Sequence, residues 1–192
     1  MVRGAGNLVS IDRSSGEISQ AVNEISLTTF PNLKFLTASS PNFPFKPEIF
    51  DVVVFSYSLH ETNDSLQSLE ESFSLLKENG SIIIFEPDPE GDLCQFLKLI
   101  SVQFDERKEQ LEAEQHILQV ACSNRTRRDI LVEWLYQGND DLRKELIAMT
   151  HRIKSELERE NARKNIDVEV SNMPSVGYLL LIDRVKVWRL DK

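Results

Sequence analysis

Two short runs of unbroken apolar residues, Val52-Val53-Val54-Phe55 and Ile82-Ile83-Ile84, most restrict what this chain can fold into. A strand with one face in water alternates apolar and polar residues, so a continuous run predicts a strand covered on both faces. Between the runs, Leu66, Leu69, Phe73, Leu75 and Leu76 recur at helical spacing. Asn63, Asp64 or Ser65 can cap that helix at its start, and Asn79-Gly80 suits a left-handed cap at its end. Strand, helix and strand at this spacing call for a right-handed crossover and a parallel sheet. The same alternation begins earlier. Leu8-Val9-Ser10-Ile11 reads as a strand ending on Asp12, Ser14 and Ser15 can cap a helix through Ile18, Ala21, Val22 and Ile25, and residues 33–38 read as a further strand.

The character changes after Gly91. Residues 92–164 hold almost no Gly or Pro, and apolar residues recur at helical intervals. Leu93, Phe96, Leu97 and Ile100 form one face, Ile117, Leu118 and Val120 a second, Ile130, Leu131, Trp134 and Leu135 a third, and Leu142, Leu146, Ile147, Met149 and Ile153 a fourth. Three or four helices are predicted, with breaks near Ser123-Asn124 and Gly138-Asn139. Val168 and Val170 alternate with polar neighbours over residues 167–173, which predicts a strand. Residues 178–190 predict a long one after the turn Pro174-Ser175-Val176-Gly177, and two strands joined so closely should be antiparallel. One α/β domain over 1–192 is expected, with a core at 8–90, a helical insertion at 92–164 and terminal antiparallel strands at 166–190.

Charge narrows the function. Against 31 acidic residues stand 22 Lys and Arg, for a net charge of -9. Phosphate-backbone binding depends on counterion release by basic contacts, so nucleic acid is not the favoured partner. Arg125, Arg127 and Arg128 are the one dense basic run and read as the solvated start of a helix. Cys94 and Cys122 match no zinc or redox spacing and are expected as buried free thiols in a reducing compartment. No apolar run approaches the roughly 18 residues of a membrane span, and no signal pattern opens the chain, so a soluble, cytoplasmic protein without a membrane partner is expected.

In an open parallel sheet, ligands bind beyond the carboxyl ends of the strands. The informative residues are therefore Asp12, Ala38-Ser39-Ser40, residues 56–61 and Glu86-Pro87-Asp88. An acidic residue placed like Asp12 can accept two hydrogen bonds from a ribose diol, or simply form a turn. These segments resemble class I S-adenosylmethionine-dependent methyltransferases. Val9-Ser10-Ile11-Asp12-Arg13-Ser14 is similar to that family's second strand and helix start. Phe35-Leu36-Thr37-Ala38-Ser39-Ser40 and Phe50-Asp51-Val52-Val53-Val54 resemble its third and fourth strands, and Ser58-Leu59-His60-Glu61 its post-strand segment. Leu75-Leu76-Lys77-Glu78-Asn79-Gly80-Ser81, leading to Ile84-Phe85-Glu86-Pro87, resembles its Leu-Lys-Pro-Gly-Gly turn and fifth strand.

The resemblance implies a Rossmann-like, mostly parallel sheet closed by an antiparallel strand pair, with S-adenosylmethionine as cofactor and methyl transfer to an unidentified acceptor as activity. It implies cofactor contacts at Gly4, Gly6, Asp12, Ser39, Ser40 and Ser56, and no metal. His60 lies where a substrate would approach the methyl donor and reads as a catalytic general base, or else as a packing or capping histidine at the mouth of the sheet. The sequence departs from the family in three ways. The family's first strand and Gly-x-Gly-x-Gly loop should precede Val9, yet only Gly4-Ala5-Gly6 does. Ser39 stands where an acidic residue commonly contacts adenine. No Asn-Pro-Pro-Tyr type segment follows the fourth strand. The missing strand belongs mid-sheet, and its loss would expose two apolar edges. The gap could be closed by a longer gene product, by a homodimer or partner chain that completes the sheet, or by re-pairing of the remaining strands. A competing reading is a non-catalytic module whose insertion binds another protein.

Overall fold

The structure, a computed structural model, describes residues 6–25, 30–153, 155–174 and 177–192. The element order is β1 (Leu8–Asp12), α1 (Ser15–Glu24), β2 (Leu33–Thr37), β3 (Phe50–Ser56), α2 (Ser65–Leu75), β4 (Leu76–Pro87), α3 (Asp92–Ile100), α4 (Arg107–Gln119), β5 (Asn124–Tyr136), α5 (Asn139–Met149), α6 (Glu156–Asn172) and β6 (Leu179–Asp191). Short 3-10 turns at Val102–Phe104 and Thr150–Arg152 precede α4 and α6. The expected caps act at α1 and α2, where the Ser14 hydroxyl accepts from Glu17 N and the Asp64 carboxylate from Gln67 N.

The strands form two sheets. β1 and β2 pair in parallel, from Leu8 opposite Leu33 to Asp12 opposite Thr37. The second sheet runs β3-β4-β6-β5, parallel between β3 and β4 and antiparallel from β4 through β6 to β5. Among the described residues, β1 is not hydrogen-bonded to β3. The strands have not re-paired across the expected gap. Two edges face it, and Val52 on β3 remains 50% exposed. Burial is therefore complete for Ile82 and Ile84 on one face of β4, with Ile83 on the other face half-buried, and is complete only for Phe55 in the Val52–Phe55 run.

Side chains alternate across a strand, and β6 supplies both faces of the four-stranded sheet with core residues. Trp188 and Leu190 point to one cluster, with Phe55, Leu69, Ile82 and Ile84 and with Ala113 and Ile117 of α4. Leu181 points to the other, with Phe96 of α3, Leu142 and Leu146 of α5, and Ile166 of α6. Helices thus cover both faces.

Three expectations change. Residues 130–135, expected as a helix face, lie in β5, which pairs with β6 along its whole length. The alternation of Val132, Trp134 and Tyr136 on one face was masked by Leu131 and Leu135 on the other, which are 71% and 64% exposed. β5 is also the true first member of the antiparallel pair with β6. Residues 167–173 belong instead to α6, because Ala162, Ile166 and Val170 recur every four residues and are all buried. The helix before Asn79-Gly80 ends at Leu75, four residues earlier than expected. Asn79 does take the left-handed conformation, at φ 64°, in a stretch of β4 that loops out between the Phe50–Leu76 and Val52–Ser81 pairs.

Candidate functional site

The post-strand segment of β3 and the end of β4 build the site. Tyr57 follows β3 with a positive φ of 54° while its amide still donates to Phe85 O at 2.9 Å. Such a conformation is costly for a bulky residue and turns the chain sharply. The turn carries Leu59 and His60 beneath the end of β4, where both are buried. Glu86, 4% exposed, receives them: one carboxylate oxygen accepts from Leu59 N at 3.1 Å and His60 N at 3.4 Å, and the other bonds His60 Nδ1. Glu86, one of the strand-end residues, thereby fixes the histidine ring.

With Nδ1 held by Glu86, Nε2 faces Glu106, at the start of α4, at 3.4 Å. Burial opposes a charge on this imidazole, but the hydrogen bonds and negative charges of Glu106 and Glu86 outweigh it and push His60 up to about 10. Burial raises Glu106 as well, yet the His60 bond, the His60 charge and Arg152 leave its carboxyl below the usual range. Arg152 pairs with Glu61 and lies 3.8 Å from Glu106. Arg13, just past β1, donates to Glu61 O at 3.3 Å and so ties the first sheet to the same network.

His60, Glu61, Glu106 and Arg152 line a cavity of about 200 Å³, walled also by Tyr57, Leu97, Phe104 and Trp134. Burial, with Asp183 and Glu86 nearby, raises the Tyr57 hydroxyl. Burial pushes the Cys94 thiol, in the same wall, up to about 11, so it stays protonated. Both cysteines are free thiols, as expected, though only half-buried.

The cofactor candidates divide. Asp12 and Ser39-Ser40 follow paired strands, and Ala38 N donates to Asp12 O at 3.0 Å across them. Asp12 Oδ1 accepts from Ser14 N at 2.7 Å, which is the turn-forming role, while no protein partner engages its second oxygen among the described residues. Ser39 is exposed; Ser40 Oγ is buried and has no partner. Ser56 is exposed at the end of β3, on the other sheet. Gly6 precedes β1, at the opposite end of that strand from Asp12, so it does not join the group. Gly4 lies outside the described residues.

Sequence reasoning missed Glu106, Gln110 and Arg152. They come from elements distant in the chain, and nothing local sets them apart from other charged or polar helix residues. Trp134, expected on a helical apolar face, lines the cavity from β5 and donates from Nε1 to Asp183 at 3.0 Å.

Residues 1–161 match the family model described as a methyltransferase domain. The chain belongs to that methyltransferase family. Demethylmenaquinone methyltransferase of Lactococcus lactis is 30% identical over 82 residues, covering 43% of this chain and 32% of that protein. The ubiquinone/menaquinone biosynthesis C-methyltransferase UbiE of Rickettsia prowazekii is 28% identical over 123 residues, covering 62% of this chain and 46% of its own length. The chain therefore spans less than half the length of these relatives. Among solved structures, the YcgJ protein of Bacillus subtilis superposes with a TM-score of 0.57 at 14% identity, covering 100% of this chain and 84% of that one. The plantazolicin methyltransferase BpumL, solved with a pentazolic desmethylPZN analog and SAH, gives 0.50 at 14% identity over 97% and 67% of the two chains. These likenesses show a Rossmann-like methyltransferase fold. No helix among the described residues is long and apolar enough to cross a membrane.

Proposed function

We infer that this chain carries the acceptor side of an S-adenosylmethionine-dependent methyl transfer to a hydroxyl-bearing aromatic ring. The supporting observation is His60: its ring is fixed through Nδ1 by buried Glu86, and its Nε2 faces a cavity walled by aromatic and apolar side chains. A ring stacked among Tyr57, Phe104 and Trp134 would bring its hydroxyl to Nε2 in the place that Glu106 holds. His60 is charged while Glu106 flanks it, so the Nε2 proton leaves with the displaced Glu106 carboxylate. The neutral imidazole then takes the hydroxyl proton, and the electron-rich acceptor ring is left in line for alkylation. The names of the quinone-pathway relatives point the same way.

The cofactor fits the residues present to the extent that the buried, unpartnered hydroxyl of Ser40 and the second oxygen of Asp12 offer hydrogen-bonding atoms at neighbouring strand ends. Asp12, Ser39 and Ser40 would hold its ribose and base, and Ser56 would lie nearer the reacting end. When bound, the cofactor supplies an electrophilic methyl group on sulfur. The unjoined edges of β1 and β3 support a companion reading, in which a partner chain lays a strand between them.

Calorimetry with S-adenosylmethionine, followed by turnover assays on hydroxylated quinone precursors, tests the reading. The expected result is saturable binding that Asp12→Ala weakens about tenfold or more, and turnover that His60→Asn lowers about a hundredfold or more while cofactor binding persists. No binding by folded protein, or unchanged turnover in the His60 variant, would overturn it.

A further inference from the structure

We propose that His60, Glu61, Glu106 and Gln110 form a binding site for a single divalent transition-metal ion, of the Zn²⁺ or Mn²⁺ class, inside the acceptor cavity. One donor atom from each of His60, Glu61 and Glu106 lies within 4.8 Å of the others, a spacing that a single central ion can span. The histidine is prepared for the role. Its Nδ1 is bound to a carboxylate, Glu86, which is itself held by two backbone amides, and this leaves Nε2 as the ligating atom. A carboxylate behind a histidine in this way fixes ring orientation and strengthens the ligand in metal sites generally.

An independent observation comes from α4. Gln110 sits one helical turn after Glu106, lines the same cavity, and is 7% exposed, yet its Oε1 is buried without a hydrogen-bond partner. A buried amide oxygen in the wall of a cavity is short of one donor or one cation. One imidazole, two carboxylates and an amide oxygen make a mixed nitrogen and oxygen set, which suits Zn²⁺ or Mn²⁺ better than the all-oxygen preference of Ca²⁺ or Mg²⁺. Arg152 now balances the two carboxylates, and its side chain is 43% exposed, so it can withdraw to solvent as the ion enters. The proton on Nε2 leaves to water in the same exchange.

The site shares His60 Nε2 with the methyl-transfer reading, so the ion and the acceptor hydroxyl exclude one another there; ion binding is measured without turnover, so either idea can fail alone. Mn²⁺ titration of the whole chain, followed by the loss of the free-ion paramagnetic resonance signal, should show one ion bound per chain. Zn²⁺ should displace it. Glu106→Gln and Glu61→Gln should each weaken binding about tenfold or more, with folding confirmed by circular dichroism, whereas His116→Ala, on α4 but outside the cavity, should leave it unchanged. Absence of saturable binding up to about 1 mM free ion, or an affinity unchanged from the parent chain in either glutamate variant, overturns the site.

Discussion

The two sheets of this molecule are built from similar strands but are held very differently. In the β1–α1–β2 unit, α1 buries no residue and Leu33 is the one buried apolar side chain among the described residues. In the β3–β6 sheet and its helices, two clusters fill both faces, and among the described residues twelve Leu and Ile side chains, including Leu69, Ile82, Ile84 and Leu190, are almost wholly inaccessible. The difference teaches that sequence pattern sets a strand while neighbours set its stability. Val52-Val53-Val54 is as apolar as Ile82-Ile83-Ile84, yet only the second run has strands on both sides.

The sharpest way to break this comparison is a matched pair of truncations. Ile82→Ala removes a fully buried side chain and should cost about 2–5 kcal/mol in urea unfolding. Ile11→Ala, in half-buried β1, should cost less than about 1 kcal/mol. Equal losses would mean that the two sheets unfold as one. Hydrogen exchange should separate them next: amides in β1 and β2 should exchange about a hundredfold faster than those in β4 and β6.

A smaller effect concerns the connection. The Glu71 carboxylate of α2 accepts from Asn42 N and Phe43 N at 2.7 and 2.8 Å, anchoring the segment between β2 and β3 to the larger sheet. Glu71→Gln should lower stability by about 1 kcal/mol and speed exchange at those two amides. The smallest effect is acid sensitivity at the end of β6. Hydrogen bonds from Ser81, then Arg189 and Asn124, pull Asp191 down to about 2. A depressed carboxylate stabilises the fold above its unfolded value, near 3.9, and that contribution fades as pH falls from about 4 through about 2. Melting temperatures across this window should fall less steeply in Asp191→Asn.

Much of the first half was legible because its signals are local. Ser14 and Asp64 cap where their side chains allow, and Ile82 and Ile84 are buried as their run predicts. β5 was not legible, since its helical-looking apolar spacing is overridden by a partner strand more than forty residues away, as in the pairing of Trp134 with Leu181. α6 was misread for the opposite reason, a brief valine alternation inside a longer four-residue period. In the site, His60 and Glu86 could be named from their strand-end positions. Glu106, Gln110 and Arg152 could not, because only the packing of α4 and a 3-10 turn over that strand end gathers them.

The unjoined edges of β1 and β3 have a thermodynamic consequence. Asp12 and Ser40 belong to one sheet and Ser56 and His60 to the other, and the direct ties between those ends are exposed contacts such as Arg13 with Glu61 and His151 with Glu17. A ligand touching both ends must also hold two loosely connected bodies at a fixed spacing. Its measured affinity then falls short of its intrinsic affinity by the fraction of molecules already in that posture. Anything that bridges the edges would raise that fraction, and with it the affinity, without touching the ligand.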